Sequence, residues 1–221
     1  HFYYKKIVRL LSDIQKIKTS KVKTFLNTNY KLSNYSEKKI IAEANLFSEW
    51  YLPKFLKGNK KRIINKKLLM IYKNLLKKII YKKNVFVHRD FHVSNIMLIH
   101  KGLGLIDNQD AVYGNIAYDL ASLIDDVRVK TNIKTKNFIF NQFIKINNSV
   151  DKIKFKNDFE ILSVMRNLKI IGIFTRLSIR DKKHKYLKLI PNAWKLIDLR
   201  TKNNKKFKNL RKILYENSDT K

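Results

Sequence analysis

Val85-Phe86-Val87-His88-Arg89-Asp90-Phe91-His92-Val93-Ser94-Asn95-Ile96-Met97-Leu98-Ile99-His100-Lys101-Gly102-Leu103-Gly104-Leu105-Ile106-Asp107-Asn108-Gln109-Asp110 is the stretch on which the fold turns. It holds short runs rich in β-branched and apolar residues, Val85 to Val87, Ile96 to Ile99 and Leu103 to Ile106, which read as strands. Only His100-Lys101-Gly102 separates the last two, so they predict an antiparallel hairpin. Around that turn residue 98 faces 104 and residue 95 faces 107. Asn95 and Asp107 then stand side by side at the open end, about 5 Å apart at Cα. A bulge at Gly102 would shift the register by one residue.

On either side of this stretch the apolar period changes from two to that of helices. Ile7, Leu10, Leu11, Ile14 and Ile17 lie on one face of a helix between His1 and Ser20. A second helix is expected from a cap at Ser36 to about Pro53, and a third carries Leu68, Leu69, Tyr72, Leu75, Leu76, Ile79 and Ile80. Helical spacing returns over Leu120 to Val127, Phe138 to Ile144, Phe159 to Leu177 and Phe207 to Leu214. With 5 Gly and 2 Pro in 221 residues, a turn-dense sandwich or barrel is disfavoured. The reading is an α+β fold, mostly helical, with one short hairpin. No repeat and no Pro/Gly/Ser-rich linker divides it, so residues 1–221 are expected to form one unit.

The formal charge is +32, from 49 Lys and Arg against 17 Asp and Glu. Such a balance raises a nucleic-acid partner, because clustered cations bind phosphate polymers by releasing counterions. The lysines run from Lys5 to Lys221 without clustering, which argues for solvated surfaces rather than a dedicated nucleic-acid face. The absence of Cys excludes disulfides and thiolate metal sites and fits a reducing compartment, with cytoplasm the default. Apolar runs such as Ile170-Ile171-Gly172-Ile173-Phe174 fall far short of the roughly 18 residues of a membrane span, and no signal-peptide pattern opens the chain.

The chemistry concentrates in the hairpin and the loop before it. His88-Arg89-Asp90 followed by Asn95 reproduces the spacing H-x-D-x-x-x-x-N of kinase catalytic loops, and Asp107 is the next acid. A hydroxyl attacking a γ-phosphate needs a carboxylate to accept its proton, and the phosphates need divalent cations held by hard oxygen ligands. Asp90 suits the first task, Asn95 and Asp107 the second. His88 reads as a structural brace of the loop. Arg89 could neutralise nearby carboxylates and His92 could neighbour the substrate, or either could face solvent. The next residues, Asp107-Asn108-Gln109-Asp110, have no Gly for a flipping activation segment, unlike the D-F-G of protein kinases.

These motifs resemble the aminoglycoside phosphotransferase and choline kinase family. That resemblance implies the C-terminal lobe of a protein-kinase-like fold, with ATP and Mg²⁺ as cofactors. Asp119, in Ala117-Tyr118-Asp119-Leu120-Ala121, is similar to the family's acid that braces the catalytic loop, although its spacing equally fits a plain first-turn acid. Glu43 to Leu52, Ile106 to Gly114 and Arg166 to Phe174 with Arg176 resemble, more narrowly, the anomeric N-acetylmuramate and N-acetylglucosamine kinases of cell-wall recycling. The implied substrate is an amino sugar, with Glu43, Trp50, Gln109, Asp110 and Arg176 as pocket candidates. Trp50 fits core packing as well as a sugar platform, and Arg176 fits a surface ion pair as well as an anion contact.

The chain departs from the family pattern at Asn108, where an aromatic is usual. None of the glycines, at 58, 102, 104, 114 and 172, forms a Gly-x-Gly-x-x-Gly loop, and no strand Lys for the α/β-phosphates is recognisable. The expectation is therefore a truncated sequence without its N-terminal nucleotide-binding lobe, weak or inactive by itself. Other acceptors of the same fold, an aminoglycoside, choline or homoserine, remain open, as does a non-catalytic basic relic that binds nucleic acid.

Overall fold

A computed structural model of the chain describes residues 2–18, 21–23, 27–82, 84–100 and 102–217. In chain order the elements are α1 (Phe2–Ile14), β1 (Lys21–Lys23), β2 (Asn29–Lys31), α2 (Glu37–Leu46), α3 (Gly58–Leu76), β3 (Asn84–Val87), β4 (Ile96–Ile99), β5 (Gly102–Leu105) and β6 (Val112–Asn115). They continue as α4 (Tyr118–Ile124), α5 (Ile133–Ile146), α6 (Lys152–Ile179), α7 (Ile190–Thr201) and α8 (Lys208–Asn217). The chain forms two compact units. One comprises His1–Ser36, Ile80–Asp126 and Lys130–Phe159; the other comprises Glu37–Ile79, Val127–Val129 and Glu160–Lys221. Neither is a continuous stretch, so no linker composition could have marked the division.

In the first unit α1 buries Ile7, Val8 and Leu11 and packs on α5, whose Phe143 stacks on Phe155 at 5.0 Å. The helix stops at Ile14, short of the expected reach; the His1, Thr19 and Ser20 ends of that reading lie outside the described residues. The Lys16 and Ile17 amides bond three residues back, to Asp13 and Ile14, a tightening that closes the helix and leaves Ile17 exposed. Below the α4 terminus, the Lys136 ammonium donates to Asp125 at 3.0 Å, a buried pair that ties α4 to α5. Helix α4 therefore ends at Ile124, and Val127 is not part of it.

Strands β3 and β6 pair antiparallel, from Asn84 opposite Asn115 to Val87 opposite Val112. Strand β6 has no alternating apolar pattern of its own and was not expected. It is held by its neighbours: the Tyr113 amide donates to Ser33 (2.9 Å) and its carbonyl accepts from Tyr35 (2.6 Å). Buried Asp158 accepts from the Ile80 and Tyr81 amides (both 2.8 Å) and from the Asn115 side chain (2.9 Å). That capture of Ile80 is why α3 ends at Leu76 rather than running on through Ile79 and Ile80.

The β4–β5 hairpin forms, with Ile96 opposite Leu105 and Ile99 opposite Gly102. Its register is one residue tighter than expected, 98 pairing with 103 instead of 104. Gly102 takes φ of +144°, outside the range of L side chains, and enters the strand rather than the turn. Lys101, at the centre of the expected turn, lies outside the described residues.

In the second unit the expected helix from Ser36 to Pro53 is broken. Helix α2 ends at Leu46, a π-helical turn follows over Phe47–Tyr51, and a 3₁₀ turn over Leu52–Lys54. At that break α6 comes so close that a Cβ on Gly172 would sit 2.3 Å from the Leu46 carbonyl carbon. The turn seats Phe47 and Tyr51 in the core, stacked at 5.2 Å, and Tyr51 accepts from the indole of Trp194 at 3.2 Å. Helix α7, which supplies Trp194, was also not expected.

Candidate active site

Strand β3 delivers the chain to His88, and α4 meets it with Asp119. The fully buried Asp119 carboxylate accepts the amides of both His88 (2.7 Å) and Arg89 (3.0 Å). Two consecutive amides can converge on one carboxylate because Arg89 adopts φ of +73°. Its guanidinium turns back over the Tyr35 ring (5.3 Å to the centroid), donates to the Asp110 carbonyl (3.3 Å) and lies 3.9 Å from that residue's carboxylate. Tyr35 is 54 positions before Arg89, and no motif flags it.

The loop is closed by its own polar groups. The Asn95 side-chain amide donates to the Asp90 carbonyl at 3.0 Å, and the Asn95 backbone amide donates to the His92 carbonyl at 2.9 Å. The ring of buried Phe91 meets His88 edge-on, while His92 is buried rather than turned to solvent. The Asp90 carboxyl is half-buried between these anchors.

The one-residue change in register places Ile106, not Asp107, opposite Asn95, with the Ile106 amide donating to the Asn95 carbonyl at 3.1 Å. Asp107 nevertheless reaches Asn95. Its φ of +68° reverses the backbone direction just past the strand, and its carboxylate lies 3.5 Å from the Asn95 side-chain nitrogen. Gln109, read as a sugar-pocket candidate, donates instead to the other Asp107 oxygen at 2.6 Å. Asn108, where an aromatic was looked for, is exposed and accepts the Ala111 amide in a turn.

With its amide N–H groups given to Asp90 and Asp107, the Asn95 Oδ1 is left to accept a cation. It and the exposed Asp107 carboxylate form a hard-oxygen pair. Among the described residues no group of three or more His, Cys, Asp or Glu could hold a metal ion. The pair fits Mg²⁺ better than a metal needing an all-protein cage, since Mg²⁺ keeps waters and shares phosphate oxygens with one or two protein ligands.

His88 is buried, and its Nε2–H donates to the Ile106 carbonyl at 3.0 Å. Burial holds its pKa below the ordinary imidazole value, against the opposing pull of that carbonyl and of the Asp90 and Asp107 charges. The unfolded chain, with a value of about 6.5, therefore takes up this proton at a higher pH than the folded chain does. Stability is full above that value and falls as the pH drops below it toward the lowered folded value. Thermal unfolding from pH 8 to pH 5 should show a steeper acid loss for the wild type than for His88→Gln, and equal slopes would refute the account.

Glu43, Trp50 and Arg176 belong to the second unit. Glu43 pairs with Lys169 at 2.8 Å, Trp50 is half-buried on the π turn, and Arg176 is half-buried on α6 with its Nε lacking a hydrogen-bond partner.

Residues 5–134 match the model of the phosphotransferase enzyme family. The chain belongs to that family. Within it, an N-acetylmuramate/N-acetylglucosamine kinase of Neisseria meningitidis serogroup B is 35% identical over 172 residues, covering 72% of this chain and 50% of the relative. The chain spans about half the length of the curated relatives it matches. Two solved phosphotransferases share the fold at low identity. A Plasmodium vivax ethanolamine kinase has a TM-score of 0.60 at 10% identity, over 88% of this chain and 59% of that one. The amicoumacin kinase hAmiN, solved with AMP-PNP and Ca²⁺, has a TM-score of 0.56 at 14% identity, over 91% and 59%. The α+β, mostly helical reading holds, in a protein-kinase-like fold. No described helix is long and apolar enough to cross a membrane.

Proposed function

We propose that the full-length protein transfers the γ-phosphate of ATP to a sugar hydroxyl, with the anomeric hydroxyl of N-acetylmuramate or N-acetylglucosamine as the acceptor. The supporting observation is the closure of Asn95 onto both Asp90 (3.0 Å to its carbonyl) and Asp107 (3.5 Å to its carboxylate). This closure gathers a proton acceptor and a hard-oxygen pair in one loop and hairpin end. The choice of an amino sugar rests on the relatives' names and on the sequence blocks shared with them.

In this reading Asp90 accepts the proton of the attacking hydroxyl, which spares the transition state a charged, poorly positioned alcohol. Asn95 Oδ1 and the Asp107 carboxylate would hold Mg²⁺, which when bound would supply charge neutralisation at the phosphates. Gln109 orients the Asp107 carboxylate through its 2.6 Å hydrogen bond, and Asp119 holds the loop at His88 and Arg89. His88, buried with its Nε2–H on the Ile106 carbonyl, braces the loop to the residue just past β5 and has no part in the proton transfer.

The test is phosphate transfer from ATP to the amino sugars by the full-length protein, beside an aminoglycoside, choline and homoserine. Turnover of the amino sugars alone supports the proposal; turnover of one of the others, or of none, sinks it. Asp107→Ala should lower Mg²⁺-dependent ATP affinity by at least about tenfold, as expected for loss of a charged ligand. Wild-type affinity by calorimetry would remove Asp107 from the metal site.

A further inference from the structure

A cleft of about 830 Å³ opens between the end of α7, the turns that follow it and one side of α8, lined by ten residues between Thr201 and Glu216. All ten belong to the second unit, and none belongs to the loop and hairpin that carry Asp90, Asn95 and Asp107. Lys and Arg make up 49 of the 221 residues, just over a fifth, yet they supply half of this lining: Lys202, Lys205, Lys208, Arg211 and Lys212. Lysines spread evenly along the sequence thus meet here in space. Helical spacing is part of the cause. Residues 208, 211, 212, 215 and 216 fall at i, i+3, i+4, i+7 and i+8 of α8, opposite the side that buries Leu210 and Leu214, and the first turn of that helix holds no acid to neutralise them.

Four of the five cations are open to a ligand. Arg211 is already engaged: it donates to the Asp198 carboxylate and to Thr201 (3.2 Å) and lies 4.3 Å over the ring of Tyr215, whose hydroxyl donates to Asp198 at 3.0 Å. Lys202, Lys205, Lys208 and Lys212 are exposed, and among the described residues none of them is ion-paired with a carboxylate. The lining holds one acid, Glu216. Like charges around a concave surface focus its field and draw anions in. The kind of anion follows from the donors. A planar carboxylate is matched by the guanidinium fork, which Asp198 occupies; the remaining ammonium groups are compact point charges with three donors each, suited to phosphate oxygens. Four of them against one carboxylate leave a surplus of three charges, more than one phosphate of about two charges balances. Tyr215, the aromatic in the lining, is committed to Arg211 and to the edge of Trp194 rather than presented to a nucleobase.

We propose that this cleft binds a free, short oligophosphate of two or more linked phosphate groups, held by Lys202, Lys205, Lys208 and Lys212 against the fixed Arg211–Tyr215–Asp198 wall. The site stands apart from the proposed sugar-kinase reading, since no residue assigned to that chemistry takes part.

The experiment is calorimetry of the full-length protein with inorganic tripolyphosphate, in EDTA so that no Mg²⁺ links phosphate to Asp107. It compares the wild type with two double variants of equal net charge: Lys208→Gln with Lys212→Gln in the cleft, and Lys134→Gln with Lys145→Gln at exposed positions of α5. The wild type is expected to bind one tripolyphosphate saturably, and the cleft variant to lose about tenfold or more in affinity, the scale of the charged hydrogen bonds removed. The α5 variant should stay within about twofold of the wild type, as distant exposed charges contribute little. All four side chains are exposed, so equal Tm values are expected. No binding by the wild type overturns the proposal, and so do equal losses in both variants, which would reduce the effect to bulk charge. A thymidine oligonucleotide that binds more tightly than tripolyphosphate and is weakened by the cleft variant overturns the ligand class in favour of a nucleic-acid groove. Citrate binding as tightly as tripolyphosphate overturns it too, by showing attraction to charge without preference for phosphate.

Discussion

Asp90→Asn in the full-length protein is expected to lower kcat for sugar phosphorylation by about 10²- to 10⁴-fold, the range that a positioned proton acceptor contributes. The substitution keeps the shape of the side chain and removes only its ability to take a proton. The loop should survive it, because Asn95 closes on the Asp90 backbone carbonyl and not on its carboxylate. Tm and the KM for ATP should therefore stay near wild type while kcat collapses. If turnover persists at the wild-type rate, Asp90 is not the base and the functional reading falls. If Tm drops with it, the loss of rate reflects a broken loop instead.

The second large effect is on stability. Asp119→Ala removes the acceptor for two amides, the buried one of His88 and the part-buried one of Arg89. Each amide left without water or a partner costs about 1–3 kcal/mol, so a loss of about 2–6 kcal/mol is expected. Arg89 also loses the bond that holds it at φ of +73°, a conformation that costs a further kcal/mol or so without compensation. Urea unfolding should show a lower midpoint at an unchanged m-value. Asp119→Asn, which keeps one acceptor oxygen but turns a donor on the second amide, should fall between. A midpoint equal to wild type would show that the loop does not depend on this brace.

The two substitutions separate what one spacing motif conflates. His88, Arg89 and Asp90 are consecutive, yet the first two are held by a residue on another element, while the third faces the place where chemistry is proposed. Stability is expected to follow Asp119 and rate to follow Asp90.

Where the sequence reading and the structure part, the causes are local. The hairpin was expected with 95 opposite 107, and the register is tighter by one because Gly102 joins the strand. Asn95 and Asp107 still approach, through positive φ at Asp107 rather than through cross-strand pairing. Aspartate is among the few non-glycine residues that tolerate that conformation, but nothing in the linear pattern announces it. The helix expected to Pro53 breaks at Leu46, where the backbone of another helix reaches it through Gly172. Helical periodicity describes one helix against an averaged core, not a contact of that closeness. Strand β6 escaped notice because Ser33 and Tyr35 hold it in place, almost 80 residues upstream.

The amino-acid sequence by itself determined the mostly helical fold class and the spacing of the loop from His88 to Asn95 and the acid at 107, because periodicity and residue spacing are properties of neighbours along the chain; the family followed from the resemblance of its motifs. Only the tertiary structure decided that Gln109 serves Asp107, that Tyr35 and Asp110 hold Arg89, and that Asp119 receives the amides of His88 and Arg89. Those facts depend on which surfaces meet, and a meeting of surfaces is set by the packing of elements far apart in the chain, where sequence distance carries no energy.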